Sequence, residues 1–333
     1  MSATVIQAPG GDAPGGQLQA RQRILTLVMV WAILLSAPLW LPLVGGYTSL
    51  GTRILVLGLA AMALNFLVGF TGMVSFGHAA YFGLGVYGCG LILRYVTAST
   101  PLGLLAGLVL GGVAGTVIGA LIARRRGIYF AMVTIAFQEI FYFIAYKWNG
   151  LTGGFDGLRG FTRANLHLGF ATLDIIKNDV VFYYFVLFIF ALVVAVMGLI
   201  LLSPFGRTLL AIRENERRAR FLGINIERHI WLAFTLSSIF IAIAGGLYAL
   251  LNNFADPSSL YTDLSGELVI MCVLGGIRVF WGPLLGAAVY VVLQDYISSH
   301  TVNWLFFVGG VFVIVVLFFP RGLLGMLRRR RDA

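Results

Sequence analysis

Residues 203–229, SPFGRTLLAIRENERRARFLGINIERH, decide how the rest of this chain is read. They form a charged, helix-favouring island that holds six Arg and three Glu. Long apolar segments flank it on both sides, at about 180–202 and 229–251. The island cannot lie in hydrocarbon, where a central Arg costs about 2.5–3.5 kcal/mol even on the lenient insertion scale. The flanks, by contrast, are suited to crossing ~30 Å of hydrocarbon as helices. The alternation predicts a membrane protein that keeps a structured, charged helix in the cytosol and presents it to something there.

Outward from the island the same pattern recurs. Hydrophobic residues make up 59% of the chain and charged ones 11%, with a mean hydropathy of +0.94. The expected fold is all-α and polytopic, with about ten spans that include short or broken helices. Candidates are 24–44, 52–71, 78–96, 102–123, 128–147, 180–202, 229–251, 266–277, 282–298 and 303–319. With the amino terminus inside, seventeen of the 23 basic residues fall on the cytoplasmic side, among them Arg21, Arg23, Arg124–Arg126, Arg278, Arg321 and Arg328–Arg331. The positive-inside rule therefore predicts both termini in the cytoplasm. The net charge of +10 is topological information, and no nucleic-acid partner is expected. Residues 1–20 are expected to form a disordered tail, 21–325 a membrane domain in contact with lipid, and 326–333 a basic tail.

Parity adds a constraint. A single crossing over 266–298 would carry the terminal Arg run outside, so this region must cross twice or re-enter, turning near Gly275–Arg278. Its first arm is too short to span comfortably at ~1.5 Å per residue. Loose backbone at such depth is tolerated only where it is buried in protein or lines a cavity. In the fourth segment Gly103, Gly107, Gly111, Gly115 and Gly119 recur every four residues. This smooth stripe invites close approach of a helix, either from the same chain or from a partner subunit.

Several chemistries are absent. The only lysines, Lys147 and Lys177, do not follow a glycine in a G-x-x-x-x-G-K-[ST] loop, so no Walker A motif exists. No GxSxG or HExxH motif is present, and His78, His167, His229 and His300 are scattered. Cys89 and Cys272 lie in apolar segments and read as small buried hydrophobes. No metal site is expected, nor any enzymatic activity.

Placed on one helix at 100° per residue, 205–223 puts Phe205, Leu209, Ile212, Ala219 and Leu222 on or beside one face, with Glu216 at its middle and Gly223 in line. Glu214–Arg218 and Glu216–Arg220 have the favourable i,i+4 order. Two readings stand: an interfacial amphipathic helix with solvated charges, or a helix docking its apolar face into a cleft on a cytosolic protein.

Glu216, Ala219 and Gly223 form E-x-x-A-x-x-x-G, which resembles the coupling-helix (EAA) motif of ABC importer permeases. The string GRTLLAIRENERRARFLGI, 206–224, resembles the branched-chain amino acid permease family of LivM type. So do LNFLVGFTGMVSFGHAAYFGLGVYG (64–88), RGIYFAMVTIAFQEI (126–140), LTGGFDGL (151–158), VLGGIRVFWGPLLGAA (273–288) and FPRGLLG (319–325). The resemblance implies a permease subunit in a bacterial inner membrane, part of an ATP-driven importer. It implies as partners a homologous second permease, two cytosolic ATP-binding subunits and a periplasmic or other extracytoplasmic substrate-binding protein. This chain would bind no cofactor, and ATP with Mg would sit in the partners. A coupling helix at about 204–224 would transmit ATPase closure through Arg213, Glu214, Glu216, Arg217, Ala219 and Gly223. Branched-chain or related small amino acids are the implied solutes. Urea, short amides or another small polar solute, or an ion-coupled secondary transporter, are the alternatives.

Pathway candidates are Asn65, Gly72, Ser75, His78, Phe82 and Glu139. Gly72 and its neighbouring glycines permit a broken helix whose half-helix termini could meet a zwitterion. The same residues also suit close helix packing, with Ser75 and His78 satisfied locally and Phe82 packing or gating. Glu139 is the one acid deep in a candidate span and either serves function or bonds a neighbouring helix. Thr152, Gly153, Gly154 and Asp156 suit a structured external loop, a guard at the outer mouth, or a contact for the binding protein.

Overall fold

The computed structural model describes residues 28–164, 166–167, 172–173, 176, 178–318 and 322–323. The two expected tails, 1–20 and 326–333, lie outside the described residues, as do Arg21, Arg23 and Arg321. The chain divides into two units, Met1–Thr48 and Ser49–Ala333. In the first, the apolar helix α1 (Val28–Trp40) is followed by a 3-10 turn at Pro42–Val44.

Among its described residues the second unit is helical apart from loops, one two-residue ladder and an isolated bridge. In order come α2 (Thr48–Thr71), α3 (His78–Tyr95), α4 (Thr100–Ile122), α5 (Ile128–Lys147) and the single turn α6 (Asn149–Thr152). Strands β1 (Leu166–His167) and β2 (Thr172–Leu173) pair antiparallel, Leu166 opposite Leu173. Then follow α7 (Asp179–Leu202), α8 (Pro204–Glu214), α9 (Glu216–Phe221), α10 (Ile226–Asn252), α11 (Thr262–Gly275), α12 (Gly282–Ser298) and α13 (Trp304–Phe318). Each of the ten expected segments coincides with a helix to within a few residues. Five of these, α2, α4, α5, α7 and α10, are long and apolar enough to cross a membrane.

Burial follows composition. Every residue of α2 from Leu55 to Gly69 is buried, the mark of a helix that is apolar on all sides and surrounded by protein. The glycine stripe of α4 is buried within the same chain. It lies against α3 and α10: Gly107 approaches Gly85, Gly111 meets Ala242, and Gly115 meets Ser238. The Trp231 indole adds a hydrogen bond to the Thr116 carbonyl at 2.8 Å. The opposite face of α4, with Leu105, Val109, Val113 and Val117, is exposed.

Two helix breaks place irregular backbone beside α2, partly buried and partly exposed. One is the stretch 72–77 between α2 and α3, opened by Gly72 at φ +77. The other is 276–281 between α11 and α12, opened by Gly276 at φ +111. The second packs against α2 just before the first: Asn65 Nδ2 donates to the Val279 carbonyl at 3.3 Å, and a Cβ on Gly69 would strike the Ile277 carbonyl oxygen. At 14 residues, α11 rises about 21 Å, short of a bilayer core. The turn expected near Gly275–Arg278 is therefore present, with Gly275 and Gly276 buried and Arg278 exposed.

Candidate functional site

The charged island corrects one expectation. It is two helices, not a single helix over 204–224. Asn215 (φ −158, ψ 99) interrupts the helix, and its side chain accepts the Arg218 N–H at 2.9 Å, capping α9. A short amide that can bond nearby backbone competes with the helix ladder, and here the cap prevails. Gly223, at φ +80, ends α9 in a left-handed turn, with the Ile224 N–H reaching the Ala219 carbonyl at 3.2 Å. That conformation favours glycine. Glu214 and Arg218 therefore sit on different helices, while Glu216 and Arg220 remain paired at 3.8 Å.

The apolar face is also not the outward one. Leu209, Ile212 and Ala219 are buried, because α8 packs on α7 and α10 and α9 packs on α10. Phe205 stacks on His229 with ring centroids 5.7 Å apart. Leu222, expected on that face, is 78% exposed, and Phe221 is 90% exposed. What faces outward is the elbow itself: Glu214, Asn215, Glu216, Arg217 and Phe221 line an open depression of about 590 Å³. Period alone identifies an apolar face without saying which neighbour covers it.

Two arginines fasten the elbow to the helical body. Arg126, from the α4–α5 junction, donates its Nε–H to both Glu216 oxygens, at 3.0 and 3.2 Å. Arg213 of α8 reaches across to donate to the Gly69 carbonyl near the end of α2, its stem passing Gly72. Partial burial, with Arg278 nearby, lowers the Arg213 pKa from its usual value. The island thus touches the backbone beside both helix breaks. Arg126 was not among the candidates, since a loop arginine carries no signal of its partner.

The pathway candidates do not form one cluster. Ser75 and His78 are fully buried and closed into a chain. Ser237 Oγ donates to the Ala63 carbonyl at 2.6 Å and so must accept from His78 Nε2 at 2.9 Å. That fixes Nδ1 as the acceptor of the Ser75 hydroxyl, 2.8 Å away. Phe82 is buried against Tyr248, with centroids 5.3 Å apart. Asn65 joins α2 to the 276–281 turn.

Glu139 belongs to a separate network. It accepts the Thr262 hydroxyl at 2.7 Å. Beside it, the Gln138 amide is oriented so that Nε2 donates to the Phe76 carbonyl and Ser265 Oγ while Oε1 accepts the Thr262 N–H, each at 2.8 Å. Ser265 in turn accepts the Ala79 N–H at 2.9 Å, tying α5, α11 and α3 together. Single Ser and Thr residues in apolar helices gave no sequence signal for this.

The loop candidates make a structured turn at the far end of α5. Thr152 donates to the Ala145 carbonyl at 2.6 Å. Gly153 and Gly154 adopt positive φ, and Leu158 bridges Ala255 by paired backbone bonds of 2.9 and 3.1 Å. Asp156 is exposed. Among the described residues no group of His, Cys, Asp and Glu could hold a metal ion.

The profile of a family described as branched-chain amino acid transport system, permease component, matches residues 46–316. The high-affinity branched-chain amino acid transport system permease protein LivM of Salmonella typhimurium is 30% identical over 92% of this chain and 74% of its own length. A probable branched-chain amino acid transport permease protein LivM of Methanocaldococcus jannaschii is 25% identical over 80% of this chain and 89% of its own. An autoinducer 2 import system permease protein LsrC of Salmonella typhi is 30% identical over 69% of this chain and 65% of its own. No solved structure gives a significant match.

Proposed function

Since this chain belongs to the branched-chain amino acid transport system permease family, we propose that it is the membrane-spanning subunit of an ATP-driven importer in a bacterial plasma membrane. Its solutes are leucine, isoleucine, valine or close relatives, the class that the LivM names carry. A second permease chain, two cytosolic ATP-binding subunits and an extracytoplasmic binding protein complete the machine. ATP and Mg belong to those partners. Both termini and the α8–α9 elbow face the cytosol.

The observation that carries this reading is the elbow. A charged depression stands open outside the helical body while its inner side is fastened by Arg213 to the Gly69 carbonyl. Closure of the ATP-binding subunits would press on the elbow, and Arg213 would pass the displacement to the backbone beside both helix breaks. Arg126 and Glu216 would keep the elbow from sliding over the α4–α5 junction. Gly223 would fix the turn that leads back into α10. A reader of ion gradients has no evident use for such a part.

The autoinducer 2 import relatives favour a second reading, in which the same framework carries another small polar solute. One experiment tests both. The chain is co-expressed with its genomic neighbours, reconstituted in vesicles and offered radiolabelled leucine. Uptake is expected to stop on ATP depletion and to persist when an ionophore collapses ion gradients. Uptake that follows the gradient instead overturns the proposal. ATP-dependent uptake of a different solute alone selects the second reading.

A further inference from the structure

At the far end of α5, away from the elbow, three tyrosines and a phenylalanine gather around an open pocket of about 200 Å³ that Asp256 also lines. The ring centroids of Tyr142 and Tyr146 are 5.6 Å apart, those of Tyr142 and Tyr261 5.2 Å, and those of Tyr146 and Phe155 5.7 Å. Aromatic faces carry negative quadrupole charge and attract a cation within about 6 Å of the centroid.

Two carboxylates add to that field. Asp256 is held by the Ser258 N–H and Oγ–H, at 3.0 and 2.6 Å. Glu139 lies one turn below Tyr142 on α5, with the neutral Thr262 hydroxyl 2.7 Å from its carboxylate. Both lie within electrostatic reach of Tyr142. Among the described residues neither carboxylate has a cationic partner within salt-bridge distance. Uncompensated acids in a membrane domain are costly and mark a wet, functional surface.

A separate observation lies on α3, which packs against the 3-10 turn Pro257–Leu260 that Asp256 caps. Tyr87 of α3 is 4% exposed, and its hydroxyl is buried with no hydrogen-bond partner among the described residues. It too lies within electrostatic reach of Asp256 and Tyr142. A buried hydroxyl without a partner is rare unless something else supplies one.

We propose that this aromatic and acidic cage is an ammonium-binding subsite, which receives the α-ammonium of an amino acid before it passes inward. The proposal rests on the transport reading above and deepens it. The rings and the Asp256 carboxylate line the space the ammonium enters, and Glu139 adds its charge from one turn below on α5. No arginine or lysine lines the pocket, so the substrate's own carboxylate must point away. The cage stands one turn above the Gln138–Thr262–Ser265 network that joins α5, α11 and α3, which places an arriving solute beside helices that could rearrange around it.

The test uses the whole complex in lipid nanodiscs with tritiated leucine and two competitors. One is 3-methylbutylamine, which keeps the ammonium. The other is 4-methylpentanoate, which keeps the carboxylate. The amine is expected to displace leucine and the acid is not. Asp256→Asn should raise the KM for leucine about tenfold at unchanged kcat, the worth of one charge-assisted contact. Tyr261→Ala should do the same while Tyr261→Phe, which keeps the ring, stays at wild-type affinity. Equal displacement by both competitors overturns the cage, and so does an unchanged KM in Asp256→Asn. If the variants instead weaken only the docking of the extracytoplasmic binding protein, the cage holds a lysine or arginine of that partner and the proposal is also overturned. The two readings fail separately. Leucine import with unaltered KM in the variants removes the cage alone, whereas amine binding by a complex that imports no amino acid removes the transport reading alone.

Discussion

Glu216 is placed to sense its surroundings more than to hold the fold. Its pair with Arg126 is partly exposed, 27% and 37% for the two side chains, and such a pair contributes about 0.2–1 kcal/mol. Reversing the charge would bring Arg126 and Arg220 against a third cation at the mouth of the depression. Glu216→Arg is therefore expected to leave the chain inserted and folded but to abolish co-purification of the ATP-binding subunits. Arg126→Glu in the same background should restore part of it. Unchanged co-purification in the single variant would contradict the assignment. His78 is the opposite case, buried and fully bonded. His78→Ala leaves a cavity and strips the Ser75 hydroxyl of its acceptor, a loss of roughly 2–5 kcal/mol. A lower thermal midpoint in detergent is the expected result, and a midpoint equal to wild type would refute the closed chain described above.

Between elements, backbone distance decides. A Cβ at Gly111 would meet Ala242 inside normal contact distance, so Gly111→Leu must push α4 away from α10. We expect the detergent-extracted chain to melt several degrees lower, with an unaltered melting profile counting against this contact. At the elbow, Asn215→Ala removes a cap worth about 1 kcal/mol, and amide exchange over 216–221 should quicken while α8 is unaffected. The two cases differ in how far the sequence reveals them. The glycine stripe can be read directly, because four-residue spacing has one geometric meaning on a helix. The elbow cannot: Asn215 sits in a polar stretch without Gly or Pro, and the helical period runs on through it. The direction of the apolar face is equally hidden, since Leu209 and Ile212 would look the same whether α10 or another protein covered them.

At the scale of the molecule, the apolar runs suffice to place the helices because hydrocarbon demands whole, satisfied helices. The candidate site was less legible. Arg213 and Glu216 stood out by charge, but their partners, the Gly69 carbonyl and Arg126, are joined to them only by the fold. Tyr142, Tyr146 and Tyr261 look like ordinary interfacial aromatics until the chain gathers them. Orientation is open to a direct check. A cysteine placed at Phe221, 90% exposed, should react with an impermeant maleimide only when the cytosolic face is open to it. Bound ATP-binding subunits should shield it. Labelling from outside intact cells would invert the topology and end the coupling reading.

The joint between α8 and α2 has one consequence for heredity. Its acceptor is a main-chain oxygen, which no codon change at position 69 can delete, and any side chain placed there collides with Asn65 and the Ile277 carbonyl. Lesions that break this one joint without unfolding the chain must therefore gather at codon 213. Second-site revertants would have to arise elsewhere, wherever a new donor can reach that oxygen.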